Sequence, residues 1–183
     1  MRIKKTSQYI EGGASLSTVY GTSNTDGYTQ SYINGMANAI TICLSSNQSA
    51  TISSSYGAQN INFDKIYFST GNKLTFDSTN HCIVIGSGVH HIEINASTVI
   101  ANGNNNTSDR YLYCYKDTTN VGQTYYLNAV PTNQHYPLCI TPFITEVAEG
   151  DKIYIKISSG QAETISVKGA STPRTYLTVK VID

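Results

Sequence analysis

The chain has 183 residues, and only 13% of them are charged, twelve basic against twelve acidic. That length suits one sizeable core with at most a small appendage. A neutral chain without a basic stripe has no electrostatic hold on nucleic acid or an anionic membrane, so neither is expected as a partner.

The start, MRIKKTSQYIEGG, places no apolar run after Lys4 and Lys5, so it does not read as a secretory leader. No later stretch is apolar enough to span a bilayer, and the expectation is a protein that folds in a cytoplasm. Residues 1–38 are rich in Gly, Ser and Thr and form a segment of their own. Within them Tyr28, Tyr32 and Met36 recur every fourth residue, with Ile33 and Ala37 alongside, behind a cap at Thr25 or Asp26. This spacing predicts a short helix. Gly27 and Gly35 weaken it by about 1 kcal/mol each, so it needs a packing partner, either the body of the protein or copies of itself.

From residue 39 to 183 strands dominate. Period-two alternation and apolar runs place them at 40–44, 50–53, 61–68, 73–76, 81–85, 89–100, 110–116, 123–129, 138–147, 152–158, 163–167 and 175–182. Turn residues separate them, at Gly71-Asn72, Gly86-Ser87-Gly88, residues 102–106, Gly150-Asp151 and residues 158–160. Many short strands with no helix between them, and no internal repeat, give an all-β antiparallel sandwich or barrel. The four cysteines, Cys43, Cys82, Cys114 and Cys139, lack CxxC spacing and sit in strand-like runs. They read as buried reduced thiols in preference to disulfides or metal ligands.

The order of the pieces is specific. INFDKIYFSTGN, then the turn Asp77-Ser78-Thr79-Asn80, then HCIVIGSGVHHIEINASTVI, resembles the globular head of complement component one, subcomponent q. Phe63, Asp64, Lys65 and Ile66 match that family's first motif, Cys82 its next strand and Gly88 its turn glycine. Ala39-Ile40 resembles the family's first strand, and Val147, Gly150, Asp151, Ile153 and Ile155 match its Gly-Asp strand. Two departures are His90-His91, where the family favours aromatics, and the ending TYLTVKVID. That ending is similar to the last strand of jelly-roll heads on phage fibres. TSNTDGYTQSYING is similar to segments upstream of such heads in structural proteins of phages of Gram-positive bacteria.

The resemblance implies a ten-stranded antiparallel jelly-roll sandwich of the TNF and complement-q kind over residues 39–183. It also implies a homotrimer in which one sheet of each copy packs around a common axis. Strands with apolar or aromatic residues on both faces agree with that. Tyr111, Tyr113 and Tyr115 share one face of RYLYCYK, Tyr176 lies opposite Leu177 and Val179, and LCITPFITEV, with Ile140 and Phe143, is apolar almost throughout. These six are the candidate trimer residues; the alternative for the tyrosines is an ordinary solvated face.

Chemistry is sparse. Adjacent strand residues point to opposite faces, so His90 and His91 do not chelate one ion within a chain, although one of them meeting its symmetry mates on a trimer axis stays open. Glu146, Glu149 and Asp151 read as a turn, Gly86 to Gly88 lacks the helix a phosphate loop requires, and no serine sits in a nucleophile elbow. No catalytic residue, metal or cofactor is expected. Loops remain, where Tyr125, Tyr126, His135 and Tyr136 offer rings to sugars and Asn104, Asn105, Asn106, Asp109 and Arg174 offer hydrogen bonds. Solvated loops without a ligand are the alternative for each. The reading is a phage virion structural protein, a fibre or spike tip made in the host cytoplasm. Its N-terminal segment joins other virion proteins and its trimeric head binds a host surface glycan or protein. The rivals are a head-fibre or decoration protein without a specific receptor, and a glycan-cleaving spike enzyme.

Overall fold

The computed structural model describes residues 38–101, 108–126, 135–170, 172 and 174–182. The expected helix near Tyr28, Tyr32 and Met36 lies outside them. Thirteen strands follow in chain order: β1 (Ala39–Cys43), β2 (Gln48–Ile52), β3 (Ala58–Asn60), β4 (Lys65–Thr70), β5 (Leu74–Asp77), β6 (Cys82–Ile85), β7 (His91–Ala101), β8 (Arg110–Lys116), β9 (Thr119–Tyr126), β10 (His135–Glu146), β11 (Lys152–Ser159), β12 (Glu163–Val167) and β13 (Tyr176–Val181). No helix occurs among the described residues.

All strand pairs are antiparallel and fall into two sheets. In the seven-stranded sheet, β10 lines one edge of β7 along its whole length, while β13 and then β12 share the other edge; β1 and β4 continue beyond β13, and β2 beyond β12. In the six-stranded sheet the order is β5-β6-β11-β8-β9, with β3 beside β11 past the end of β6. Setting aside the short additions β2, β3 and β12 leaves five strands in each sheet, which is the expected ten-stranded sandwich.

Alternation explains the core. On β8, Leu112 and Cys114 point inward and the tyrosines outward; on β11, Ile153, Ile155 and Ile157 point inward. They meet Ile40, Ile42, Ile92, Ile94, Leu177 and Val179 of the other sheet, all essentially without exposure. Burying each such side chain stabilises by about 1.5–3 kcal/mol relative to leaving it exposed. One glycine is required by this packing. A Cβ on Gly122 of β9 would stand 2.7 Å from the ring of Phe143 on β10, so the ring occupies the space a side chain would need.

Two strands differ from expectation. INFDKIYF does not form one half-buried strand: Ile61 and Phe63 are buried but precede the strand, and β4 itself has no buried residue. Among the described residues it is an edge strand, paired to β1 only, and its Ile66, Tyr67 and Phe68 are 46, 55 and 53% exposed. Strand β10 is not covered on both sides within the chain. Its register shifts between Ile140 and Phe143, so Leu138 and Ile140 face the core while Cys139 and Ile144 face out. Cys139 is therefore exposed, unlike Cys43, Cys82 and Cys114, which are buried and free.

The two ends of the sandwich have different jobs. Asn38, where the described chain begins, is buried, and its side-chain Oδ1 accepts the backbone N–H groups of Asn72 and Lys73 at 2.8 and 2.9 Å. Its carbonyl accepts Val181 N at 2.9 Å, next to the His91 end of β7. Ala101, the other end of that strand, lies roughly 30 Å away. The chain thus enters the sandwich at the end opposite Ser108, Tyr126 and His135, the residues that flank the polar loops.

Candidate functional site

The outward face of the six-stranded sheet carries a row of tyrosines. Residues 111, 113 and 115 alternate with inward residues on β8, so their rings stand side by side. Tyr111 and Tyr113 stack at 5.8 Å, nearly parallel, and Tyr113 meets Tyr115 edge-on at 6.2 Å. Tyr125, paired with Tyr111 across β8 and β9, adds a tilted ring at 6.1 Å. A fifth ring comes from the turn after β2. There Tyr56 N donates to Ser159 O at 2.7 Å and Ser55 Oγ to Gly160 O at 2.6 Å, which lays the Tyr56 ring edge-on against Tyr111 at 5.8 Å. Each aromatic pair contributes about 0.5–1.5 kcal/mol beyond its area. Asp109 accepts the Tyr111 hydroxyl at 3.2 Å, and desolvation with that carboxylate pushes the phenol up to about 12. At the other end, Lys156 Nζ of β11 sits 4.1 Å over the Tyr115 ring, a cation–π contact.

Beyond Lys156 the face opens into a groove of about 450 Å³, lined by Asn60, Thr79, Asn80, His81, Asp117, Thr118, Tyr154 and Lys156. Two turns build its walls. In the β5–β6 turn, Asp77 Oδ1 accepts Thr79 N and Asn80 N, and Oδ2 accepts Asn80 Nδ2 at 2.6 Å; these bonds, the Asn80 side chain first, hold the carboxyl below its usual range. His81 closes that turn, with Nδ1–H donating to Phe63 O at 2.8 Å. In the β8–β9 turn, Asp117 Oδ1 accepts Lys152 N at 3.1 Å. Tyr154, between the walls, is pushed up to about 12 by burial and by its neighbour Cys82. Tyr56, His81 and Asp117 are the non-glycine residues with positive φ among those described, at 59, 57 and 52°. All three border this one face, and such backbone costs on the order of 1 kcal/mol or more at each.

The outward face of the seven-stranded sheet is different. Thr41, Tyr67, Phe68, Tyr176 and Thr178 line a shallow apolar hollow, with Thr41 and Thr178 hydroxyls 2.9 Å apart. Ile144, 62% exposed, lies further across, beside the cross-strand neighbours Glu93 and Lys180.

The structure redistributes the residues singled out by sequence. Asp109 and Tyr125, expected in sugar-binding loops, join Tyr111, Tyr113 and Tyr115, expected at the trimer axis, in one row. Those three tyrosines consequently do not share a seam with Tyr176, which lies on the other sheet. Ile140 is 3% exposed and faces the core, so it offers no surface, while Phe143 is partly buried and packs against the core. His135 and Tyr136 begin β10, in the sheet opposite the tyrosine row, with Tyr136 packed on the core. Arg174 is exposed between β12 and β13. Asn104, Asn105 and Asn106 lie outside the described residues, and of Tyr126 only its strand position, across from Arg110, is described. Tyr56, Tyr154, Lys156, Asn80, His81 and Asp117 were missed. Only the alternation KIYIKI, which puts Tyr154 and Lys156 on the outward face, carried a usable signal.

No family model matches the chain. No curated protein matches it either. Solved structures do. The crystal structure of murine APRIL at pH 5.0 aligns with a TM-score of 0.55 at 10% identity, over 78% of this chain and 97% of that one. Murine APRIL at pH 8.5 gives 0.50 at 12%, over 78% and 98%. Eiger TNF from S. frugiperda gives 0.50 at 8%, over 80% and 93%. At these identities the likeness shows the fold alone: an all-β, TNF-like jelly roll.

Proposed function

We propose that this chain is a virion structural protein, the head of a homotrimeric phage fibre or spike. Residues 1–38 attach it to other virion proteins, and residues 39–183 bind the host cell surface. The observation that carries this reading is the contrast between the two sheet exteriors. Tyr67 and Phe68 on β4 line an apolar hollow on the exterior of the seven-stranded sheet, and Ile144 is exposed at the opposite edge of the same sheet; we place the trimer axis on this exterior, which leaves the polar aromatic face outward. Exposed apolar area of this kind marks an interface. The sequence resemblance supports the phage setting, and the entry of the N-terminal segment at the end opposite the polar loops supports a tip that points away from its attachment. Three copies raise weak single-site binding by about 10²–10⁴-fold without a new contact. Light scattering at micromolar concentration tests the assembly: a mass near 60 kDa, three times 19.9 kDa, is expected, and a 19.9 kDa monomer overturns it. Saturable binding of the labelled protein to Gram-positive cells tests the role, and no binding across a strain panel returns the chain to a decoration protein.

A further inference from the structure

The groove between the β5–β6 and β8–β9 turns is a sizeable polar concavity on the tyrosine face, and its chemistry selects among ligands. It offers donors and acceptors from Asn60, Thr79, Asn80, Thr118 and His81, one aromatic wall in Tyr154, one cation in Lys156 and one carboxylate in Asp117. The two charges balance. An anion gains little, because the Lys156 ammonium already rests on the Tyr115 ring and Asp117 faces the same space. A cation gains little either, because the nearby Asp77 carboxylate is taken up by Thr79 and Asn80. An apolar ligand would strand the polar side chains that line the groove, each at about 1–3 kcal/mol. What fits is an uncharged molecule with apolar C–H faces and a rim of hydroxyls. Its ring faces pack on Tyr154, while its hydroxyls reach acceptors and donors on both walls.

The supporting geometry is preorganised. His81 is fixed through Nδ1–H to Phe63 O, which leaves Nε2 of the neutral ring as an acceptor. Asn80 is locked by Asp77, and Asp117 by Lys152 N. The backbones of His81 and Asp117 are held at positive φ on opposite walls. A site held in this way loses little ordering entropy on binding.

We propose that this groove is a binding site for a neutral oligosaccharide, with Tyr154 as the stacking platform and Asn80, His81, Asp117, Thr118 and Lys156 as hydroxyl partners. This rests on the reading of the chain as a surface-binding head and names the ligand class of its outward face. The test uses the full chain on an array bearing neutral probes (chitotriose, maltotriose, lactose) and anionic ones (sialyllactose, a heparin hexasaccharide), with calorimetry on the hits. Saturable binding of a neutral probe is expected, weakened at least tenfold in Tyr154→Ala and in Thr118→Trp, which fills the groove from an exposed turn. Ile144→Lys, on the other sheet, leaves single-site affinity unchanged. Melting curves confirm that each variant folds, and Thr118→Trp keeps the test valid if Tyr154→Ala does not. Binding of anionic probes alone, no neutral binding, or neutral binding untouched by both groove variants overturns the assignment. A 60 kDa particle that binds cells yet fails the array sinks only the ligand class; a monomer that binds no cells sinks the head reading itself.

Discussion

Arg110 opens β8 directly before the tyrosine row and is 1% exposed. Its Nη2 meets Glu163 Oε2 of β12 at 2.6 Å, joining the two sheets at the loop end of the sandwich. Nη1 donates to Ser108 O at 2.6 Å and to Ser159 Oγ at 3.3 Å. Burial pulls the guanidinium below its usual value, with the Glu163 and Asp109 carboxylates opposing that, and it stays charged at neutral pH. Replacing Arg110 by Met takes the guanidinium away from the Glu163 carboxylate in a site 8% exposed and should cost about 3–5 kcal/mol. Replacing Glu163 by Gln should cost less, near the lower end, because Ser108 O and Ser159 Oγ still receive the guanidinium and the amide oxygen remains an acceptor. For a domain of this size, about 2–4 °C per kcal/mol gives a melting shift of roughly 6–20 °C for Arg110→Met. The double variant Arg110→Met/Glu163→Leu should recover most of the loss, since neither buried charge then remains. Urea melts of the wild type, Arg110→Met, Glu163→Leu and the double variant complete a double-mutant cycle. A loss under about 1 kcal/mol in Arg110→Met, or a double variant no better than the worse single, refutes the reasoning, because the pair would then be a solvated contact.

Other consequences can be checked together. Ile144→Lys puts a charge into the proposed axis and should drop the native mass from about 60 kDa to 19.9 kDa with the fold intact; an unchanged mass moves the axis elsewhere. In that dissociated variant a thiol reagent should modify one cysteine quickly, Cys139, while Cys43, Cys82 and Cys114 wait for denaturant; two or more fast thiols contradict their burial. Stability should fall in alkali. Tyr111, Tyr154 and Cys114 have folded values near 12, above the unfolded 10 for tyrosine and 9 for cysteine. The folded state therefore keeps protons that the unfolded chain releases, and the stabilisation present below pH 9 is lost between about 9 and 12. Chemical melts from pH 8 to 11.5 that stay flat would remove that linkage.

Much of the sandwich was legible because its strands alternate cleanly. RYLYCYK, KIYIKI and TYLTVKVI state their inward and outward residues directly, and the structure follows them. Strand β10 was not legible. A run without polar alternation reads as covered on both sides, but a register shift flips its facing, so even-numbered Leu138 and Ile140 and odd-numbered Phe143 all lean inward. Alternation also gives two faces without saying which sheet a strand joins, so Tyr111, Tyr113 and Tyr115 were grouped with Tyr176 on the strength of residue type. The groove was hidden for another reason. His81 and Asp117 reach it through left-handed backbone, uncommon for any residue but glycine even though histidine and aspartate adopt it more than most, and Tyr56 reaches the row in the same way.

The two exteriors answer different physical demands. Strand β4 is an edge strand with one paired side and three large apolar or aromatic residues in water, the arrangement that proteins elsewhere blunt with charges, proline or a bulge. It carries one charge, Lys65, at its start and no proline, so something must cover it if the chain is to stay soluble. Copies of the same chain are the cover always present at equal concentration. The tyrosine face needs none: its rings pack on one another and on Lys156 while polar groups, the Asp109 carboxylate among them, take up the phenol tips, an arrangement that suits a partner with hydroxyls. In the proposed trimer this sandwich, poor in charge on both sides, hides one exterior among copies and fills the other with tyrosine. On that account Ile144→Lys, which opens the hidden side, should yield monomers that aggregate through β4 on standing, and a charge added at Phe68 in the same chain should stop them.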